Sequence, residues 1–327
     1  MVLMRTILIQ NKNHILHLSQ KRFQMKFIPF LSAIAILSLF TSCNQLSKKV
    51  STRDGIKVPD HVVIIIEENH GYDQIVGSDS APYINKLVAE SAVFTDSHGV
   101  THPSQPNYLA FFSGTTQGIS GDQCLKDSTP FTTPNLGAAL IKNGYTFKGY
   151  AQTMPSAGYT ECDYQTGALT DQTLYARKHC PWVNWQGNKK NNFPDSLSLP
   201  MTSFPKNFDE LPAVAFVIPD MDHDMHNIGT PGDSAAIRRG DDWLKENLSA
   251  YVEWAKTHNS LLILTYDEDQ FTPKNRILTL FAGANIKPGK YSEKINHYSV
   301  LKTLEAMYGL HVTDTTKAIV IKNIWEN

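Results

Sequence analysis

The chain has 327 residues, of which 41% are hydrophobic and 19% charged. That balance suits a globular protein with one sizeable α/β domain or two smaller ones. The formal net charge is −1, yet positions 1–42 carry five basic residues (Arg5, Lys12, Lys21, Arg22, Lys26) and no acid. The remainder is mildly acidic and lacks the basic face that nucleic-acid binding needs, so no nucleic-acid partner is expected.

In chain order, residues 1–42 read as an export signal rather than as part of the fold. MKFIPFLSAIAILSLFTSC, from Met25, has a basic start, an apolar run over 27–40 and small polar residues before Cys43. The run is short for a membrane span but suits the apolar core of a signal peptide. Residues 1–24 precede this better start and fit a mis-called start codon. Phe-Thr-Ser before Cys43 resembles a bacterial lipobox, which implies lipidation at Cys43. The expectation is an exported, membrane-anchored lipoprotein facing the periplasm or cell surface; an ordinary cleaved signal is the alternative. Polar residues 43–57 read as a tether, and 58–327 as a single α/β domain.

Buried-strand patterns follow at 62–66, 92–95, 146–150, 213–218, 261–265 and 277–281. Helical patterns lie between some of them, at 83–90, 135–143 and 235–258, with a last one at 299–308. In the long pattern Ile237, Leu244, Leu248, Tyr251, Val252 and Ala255 share one face. This alternation predicts a mainly parallel central sheet with helices on both faces. Residues 152–208 show little periodicity. Their Trp, Tyr, Phe and Cys content predicts an ordered insert over the sheet, of the kind that forms a lid. Export implies an oxidising compartment for Cys124, Cys162 and Cys180. Spacing alone does not choose the pair; Cys124–Cys162 is preferred and Cys162–Cys180 is the rival.

Ligands of open α/β sheets bind beyond the carboxyl ends of the strands. After 62–66 come Glu67, Glu68 and Asn69. After 213–218 come Asp220, Asp222, His223, Asp224 and His226. After 261–265 come Asp267, Glu268 and Asp269. Carboxylates gathered this way repel one another unless a cation neutralises them, which predicts a divalent metal site. Glu67 and Glu68 point in opposite directions along an extended strand, and Glu67 is the weaker ligand of the two. THPSQPNYLAFFSGTT, from Thr101, places Ser104 at the N-terminus of a helix running from Asn107 onward. There free N–H groups favour an oxyanion, and a nearby cation would activate the hydroxyl. Gly71 and Gly77 fit no nucleotide-binding glycine pattern.

EENHGYDQIVG, HPSQPNYLAFFSG, YARKHCPW, PDMDHDMH, TYDEDQ and NHYSVLKTLEAMYGL occur in that order. Together they resemble the phosphoesterase family of bacterial and fungal acid phosphatases and bacterial phospholipases C, within the alkaline phosphatase superfamily. In YARKHCPW, Cys180 replaces the usual Asn. The resemblance implies that Glu68, Asn69, Asp267 and Glu268 hold one metal ion, with Ser104 as both ligand and nucleophile. It implies that His179 and His226 contact the phosphoryl group or assist the leaving group, with Asn107 and Asp224 orienting them. His102 and His297 are further candidates for substrate contact. All-oxygen ligands suit Ca²⁺, Mg²⁺ or Mn²⁺ better than Zn²⁺. Ser104-Gln105-Pro106-Asn107 is followed by Tyr108, not the Arg of sulfatases. The implied activity is hydrolysis of small phosphate monoesters through a phosphoserine. A chain ending soon after Leu310 leaves no room for the extra domains of large phospholipases C, although a phospholipase C-like phosphodiesterase is the near alternative. A non-catalytic surface binding lipoprotein with a structural metal site is the alternative of another class.

Overall fold

Five consecutive β-branched residues, Val62 to Ile66, form a strand buried on both faces because helices cover both sides of it. Val62, Ile64 and Ile66 enter one apolar cluster, and Val63 and Ile65 the other. Full burial of each such side chain contributes about 1.5–3 kcal/mol. The computed structural model describes residues 51–53, 55–170, 172–191, 193–312 and 318–326. The signal peptide, Cys43 and most of the tether expected at 43–57 lie outside the described residues.

A short ribbon, β1 (Thr52–Arg53) and β2 (Ile56–Lys57), leads into β3 (His61–Glu67), α1 (Tyr72–Ile75), α2 (Pro82–Glu90), β4 (Ala92–His98), α3 (Ser104–Ser113), α4 (Leu136–Lys142) and β5 (Phe147–Ala151). The insert holds β6 (Asp163–Thr166), β7 (Thr173–Ala176) and β8 (Ser198–Pro200). Then come β9 (Val214–Ile218), α5 (Asp233–Ala255), β10 (Ser260–Tyr266), β11 (Arg276–Ala282), β12 (Gly289–Asn296) and α6 (His297–Tyr308). Eight strands make one sheet in the order β12-β4-β11-β10-β3-β9-β5-β8. β11 runs antiparallel to both of its neighbours, β10 and β4, and every other pairing is parallel. The expected mainly parallel α/β architecture is therefore present. One face packs on α3, α4 and α6, the other on α1, α2 and α5.

Differences from the sequence expectation have simple causes. β12 and β8 are edge strands with largely exposed or half-exposed residues, so they lack the apolar run that marks a central strand. Helix α3 begins at Ser104 rather than Asn107, and all ten of its residues are buried. Helix α5 stops at Ala255, three residues short of the expected end, and its six expected core residues are all buried. The insert is ordered, but much of it is core rather than lid. Trp182, Val183, Trp185 and Phe193 fill the α3 face of the sheet, and the β6–β7 hairpin forms a separate two-stranded sheet. Cys124 and Cys162 are joined by a disulfide, and Cys180 is free and buried.

Candidate active site

Strands β3 and β10 are adjacent and parallel, with Glu67 in register with Tyr266. This register alone sets the carboxylates that follow the two strands side by side. The Asp267 amide donates to the Glu67 carbonyl (2.9 Å), and the Glu68 amide donates to the Asp224 carbonyl (2.8 Å), which ties in the loop after β9. That loop comes close to α5 because Gly240 leaves room for it. A Cβ there would stand 2.6 Å from the Met225 side chain and 3.1 Å from the His223 carbonyl. Asn69 adopts φ 55°, a left-handed conformation that Asn tolerates better than most residues.

Ser104 occupies the first turn of α3. Its Oγ donates to Glu68 Oε2 (3.0 Å) and reaches Glu268 Oε1 (3.3 Å). Tyr108, one helical turn further on, donates to Glu68 Oε1 at 2.6 Å and stacks on the His179 ring. His179 Nε2 lies 3.1 Å from Glu68 Oε1, and its Nδ1 lies 3.2 Å from Asp224 Oδ2. The backbone amide of Asn69 donates to Asp267 Oδ1 at 3.0 Å. His102 Nδ1 sits 2.5 Å from Glu268 Oε2. Asn69 Oδ1 and Asp267 Oδ2 are buried without any hydrogen-bond partner, and His179 Nε2 and Asp224 Oδ2, although close to Glu68 Oε1 and His179 Nδ1, form no aligned hydrogen bond.

Burial, the largest cause throughout, raises the pKa of every carboxyl in the cluster. Glu68 and Asp224 are held well above the carboxylate range, with neighbouring acids adding to the effect. Asp267 is raised to about 7, and Glu268, also facing Asp267, to about 9. Lys178 opposes these shifts. Unpartnered donor atoms beside carboxyls that resist ionisation describe a place prepared for a cation. Glu68, His179 and Asp224 each offer a ligand atom, all within 4.8 Å of one another. Asp267, Glu268, Asn69 and Ser104 border the same Glu68, so the residues present fit a divalent ion. His179 adds a nitrogen to the all-oxygen donor set expected from sequence, which widens the fitting ions toward Zn²⁺.

The structure redistributes several expected roles. Glu67 has Asp224 and Asp241 as neighbouring charges, and burial, the larger cause, raises its carboxyl well above the ordinary range. Asn107 has no free polar atom for a substrate. Its Oδ1 accepts from the Val100 and Thr101 amides, and its Nδ2 donates to the Thr101 and Pro103 carbonyls. It braces the loop that presents Ser104. His297 is buried against Phe111, with Nε2 2.6 Å from the Asp267 carbonyl, so it positions Asp267 and is not offered to a substrate. Asp224 stands against both histidines, with Oδ2 3.2 Å from His179 Nδ1 and Oδ1 accepting from the His226 amide at 2.9 Å, and it also belongs to the donor cluster. His179 is buried and its pKa is lowered well below the ordinary value, which suits a neutral ligand rather than a proton donor. His226 is only partly buried, 5.8 Å from His179 between ring centroids, with its pKa lowered to about 4 by burial and Lys178.

Three residues escaped the sequence reading. Tyr108 stands four positions after Ser104, a helical spacing that could have revealed it. Lys178 adjoins His179 in sequence and binds Asp122 Oδ2 at 2.8 Å. The other oxygen of Asp122 accepts from the Gln105 amide at 2.9 Å. Asp122 therefore joins the first turn of α3 to Lys178, from a loop without any periodic signal.

These features define a class: a mainly parallel α/β hydrolase with a hydroxyl at a helix N-terminus inside a buried carboxylate cage. Residues 78–311 match the model of the Phosphoesterase family, and the chain belongs to that family. It is 46% identical over 268 residues to a phosphatidylinositol-3-phosphatase of Mycobacterium tuberculosis, covering 81% of this chain and 82% of that protein. It is 28% identical over 240 residues to a phosphate-repressible acid phosphatase of Penicillium chrysogenum, covering 69% of this chain and 54% of that protein. The chain thus spans about half the length of this fungal relative. The fold is shared with the lipoteichoic acid synthase LtaP of Listeria monocytogenes, at 12% identity and a TM-score of 0.54, over 84% of this chain and 79% of that one. The chain is a hydrolase of phosphoric ester bonds.

Proposed function

We propose that the protein is a metal-dependent phosphomonoesterase that works through a phosphoserine on Ser104. The observation that carries this is Ser104 Oγ within hydrogen-bonding reach of both Glu68 and Glu268 at the first turn of α3. Glu68, Asn69, Asp267 and Glu268 would hold the ion, with His179 and Asp224 as further donors. When bound, it supplies positive charge that lowers the pKa of the hydroxyl and offsets phosphoryl charge.

The chain's own groups do the rest. Glu68 and Glu268 orient Oγ, and the helix N-terminus favours negative charge there. Oγ attacks phosphorus, the ester P–O bond breaks and the alcohol departs with a proton. Water then cleaves the phosphoserine, releasing inorganic phosphate and restoring Ser104. Lys178, fixed by Asp122, places a cation beside the carboxylates where the phosphoryl group must sit. His226 is neutral above about pH 4 in the free protein, and phosphoryl charge draws its pKa back toward the working range of a proton donor.

The names of the two relatives favour monoesters over the diesters of phospholipase C. Export and anchoring at Cys43 belong to the same proposal, supported by the signal-like segment and by a disulfide suited to an oxidising compartment. Loss of radiolabelled fatty-acid incorporation in Cys43→Ala is expected, and unchanged labelling would refute the anchor. For the activity, Ser104→Ala should lower phosphate-monoester turnover at least about 10³-fold while melting within a few degrees of the parent. Retained turnover sinks the nucleophile. A parent that binds ligands yet hydrolyses neither monoester nor diester would indicate the binding-lipoprotein alternative, and a much faster diester rate the phosphodiesterase.

A further inference from the structure

The register of β3 with β10 ends at Glu67, yet the next two residues carry the site. The peptide that joins Glu68 to Asn69 is held by other means. Its N–H, the Asn69 amide, donates to Asp267 Oδ1 at 3.0 Å. Its carbonyl, that of Glu68, lies 2.8 Å from Nδ1 of His70. A carbonyl only accepts, so Nδ1 is the donor. His70 is buried, and the steps proposed above do not employ it.

The other side of the ring is fixed as well. Nε2 is 3.0 Å from Oδ1 of Asp233, the first residue of α5. The same oxygen accepts from Gln270 Nε2 at 3.2 Å. Asp233 thereby links the loop after β3 to the loop after β10, the two segments that carry Glu68, Asn69, Asp267 and Glu268. A carboxylate at the start of a helix is favoured by the helix dipole. A donor on a carbonyl also polarises the peptide and strengthens the bond that its N–H gives, here the bond to Asp267. The residue held this way needs holding. Asn69 has φ 55°, a conformation that costs a non-glycine residue free energy, and its Oδ1 is buried without a partner.

We propose that His70 is a positioning residue of the metal site, with Asp233 orienting its ring. By holding the Glu68 carbonyl it fixes the Glu68–Asn69 peptide. Glu68, Asn69 and, through the Asn69 amide, Asp267 then present their donor atoms together. This rests on the metal-dependent reading above. Such a brace lowers the cost of ordering the ligands when the ion arrives. If the imidazole only filled space under the turn, any side chain of similar bulk would replace it.

The test is calorimetric titration of the substrate-free protein with Mn²⁺. It compares the parent with His70→Ala, His70→Asn, His70→Gln and Asp233→Ala, each shown to be folded by melting in chelator. His70→Ala should weaken Mn²⁺ binding about 10–100-fold, and Asp233→Ala about 3–10-fold. In His70→Asn the amide nitrogen stands where Nδ1 stands, so affinity should return to within about threefold of the parent. In His70→Gln the amide lies further out, and the loss should match that of His70→Ala. Equal rescue by Asn and Gln would leave a space-filling residue and overturn the inference. Where His70→Ala fails to fold, the contrast of Asn with Gln and the loss in Asp233→Ala, at a part-exposed position, decide the matter. A parent and variants that all bind Mn²⁺ equally remove His70 from the site and leave metal dependence standing. A parent that takes up no Mn²⁺, Mg²⁺ or Ca²⁺ overturns the metal reading itself, and this inference with it.

Discussion

Replacing Asp267 by Asn should strengthen the metal-free protein while disabling the enzyme. Asp267 is fully buried, its Oδ2 has no hydrogen-bond partner, and burial raises its pKa from the ordinary 3.8 to about 7. In the unfolded chain the proton leaves near pH 4; in the folded protein it is held until about pH 7. Between those values the native state binds more protons, so stability falls as pH rises, and the full penalty is present above about pH 7. A difference of about three pH units corresponds to a ceiling of about 4 kcal/mol. Relaxation and proton sharing among the neighbouring carboxyls reduce that to roughly 1–3 kcal/mol. Asn matches the protonated acid in shape, still accepts from the Asn69 amide and carries no charge. In chelator at pH 8, Asp267→Asn should therefore melt about 2–6 °C above the parent by scanning calorimetry. At pH 5 most of that gap should close, because the parent's Asp267 is then protonated. Excess divalent cation should reverse the order, since the parent alone regains a full ligand set. Hydrolysis should fall at least about 100-fold. A metal-free variant less stable than the parent at pH 8, or a gap independent of pH, would refute this account of the carboxylate cluster.

The same carboxyls should make metal affinity depend on pH. Asp267 and Glu268 must lose protons held to about 7 and about 9, so affinity by calorimetric titration should rise steeply from pH 5.5 to 8, up to tenfold per pH unit for each proton displaced. A flat profile would exclude them as ligands. Lys178→Met removes the cation that offsets these acids, and should weaken inhibition by inorganic phosphate about tenfold; an unchanged inhibition constant would exclude Lys178 from phosphoryl binding. Cys124 and Cys162 are 38 residues apart, so Cys162→Ser should cost about 2–4 kcal/mol in denaturant unfolding. Unfolding of the parent that is insensitive to reductant would contradict this.

Burial on both faces left a readable mark on the central strands, and so on the fold. Val62–Ile66 and its counterparts at 213–218 and 261–265 are continuous apolar runs because each sits mid-sheet with helices above and below. The acids after them were legible for the same reason, since charge directly behind such a run must lie at the strand's carboxyl end. The orientation of β11 and the presence of β12 were not legible. Strand direction leaves no trace in side-chain periodicity, and a half-exposed edge strand looks like a loop.

Local order thus determined that Glu68, Asn69, Asp267 and Glu268 would stand at strand ends and Ser104 at the start of a helix. Only the folded chain decided what each of them touches. The parallel register of β3 and β10 sets Asp267 beside Glu68, and the packing of an aromatic insert brings in His179 and Lys178 from a segment without periodic pattern. Asn107 and His297 had the right chemistry for substrate contact, but backbone groups distant from His297 in sequence, or in a tight loop before Asn107, took up their polar atoms. Periodicity reports how much of a residue is buried. Which partner it meets depends on chain segments far away in sequence, and that information exists only once the sheet has closed around them.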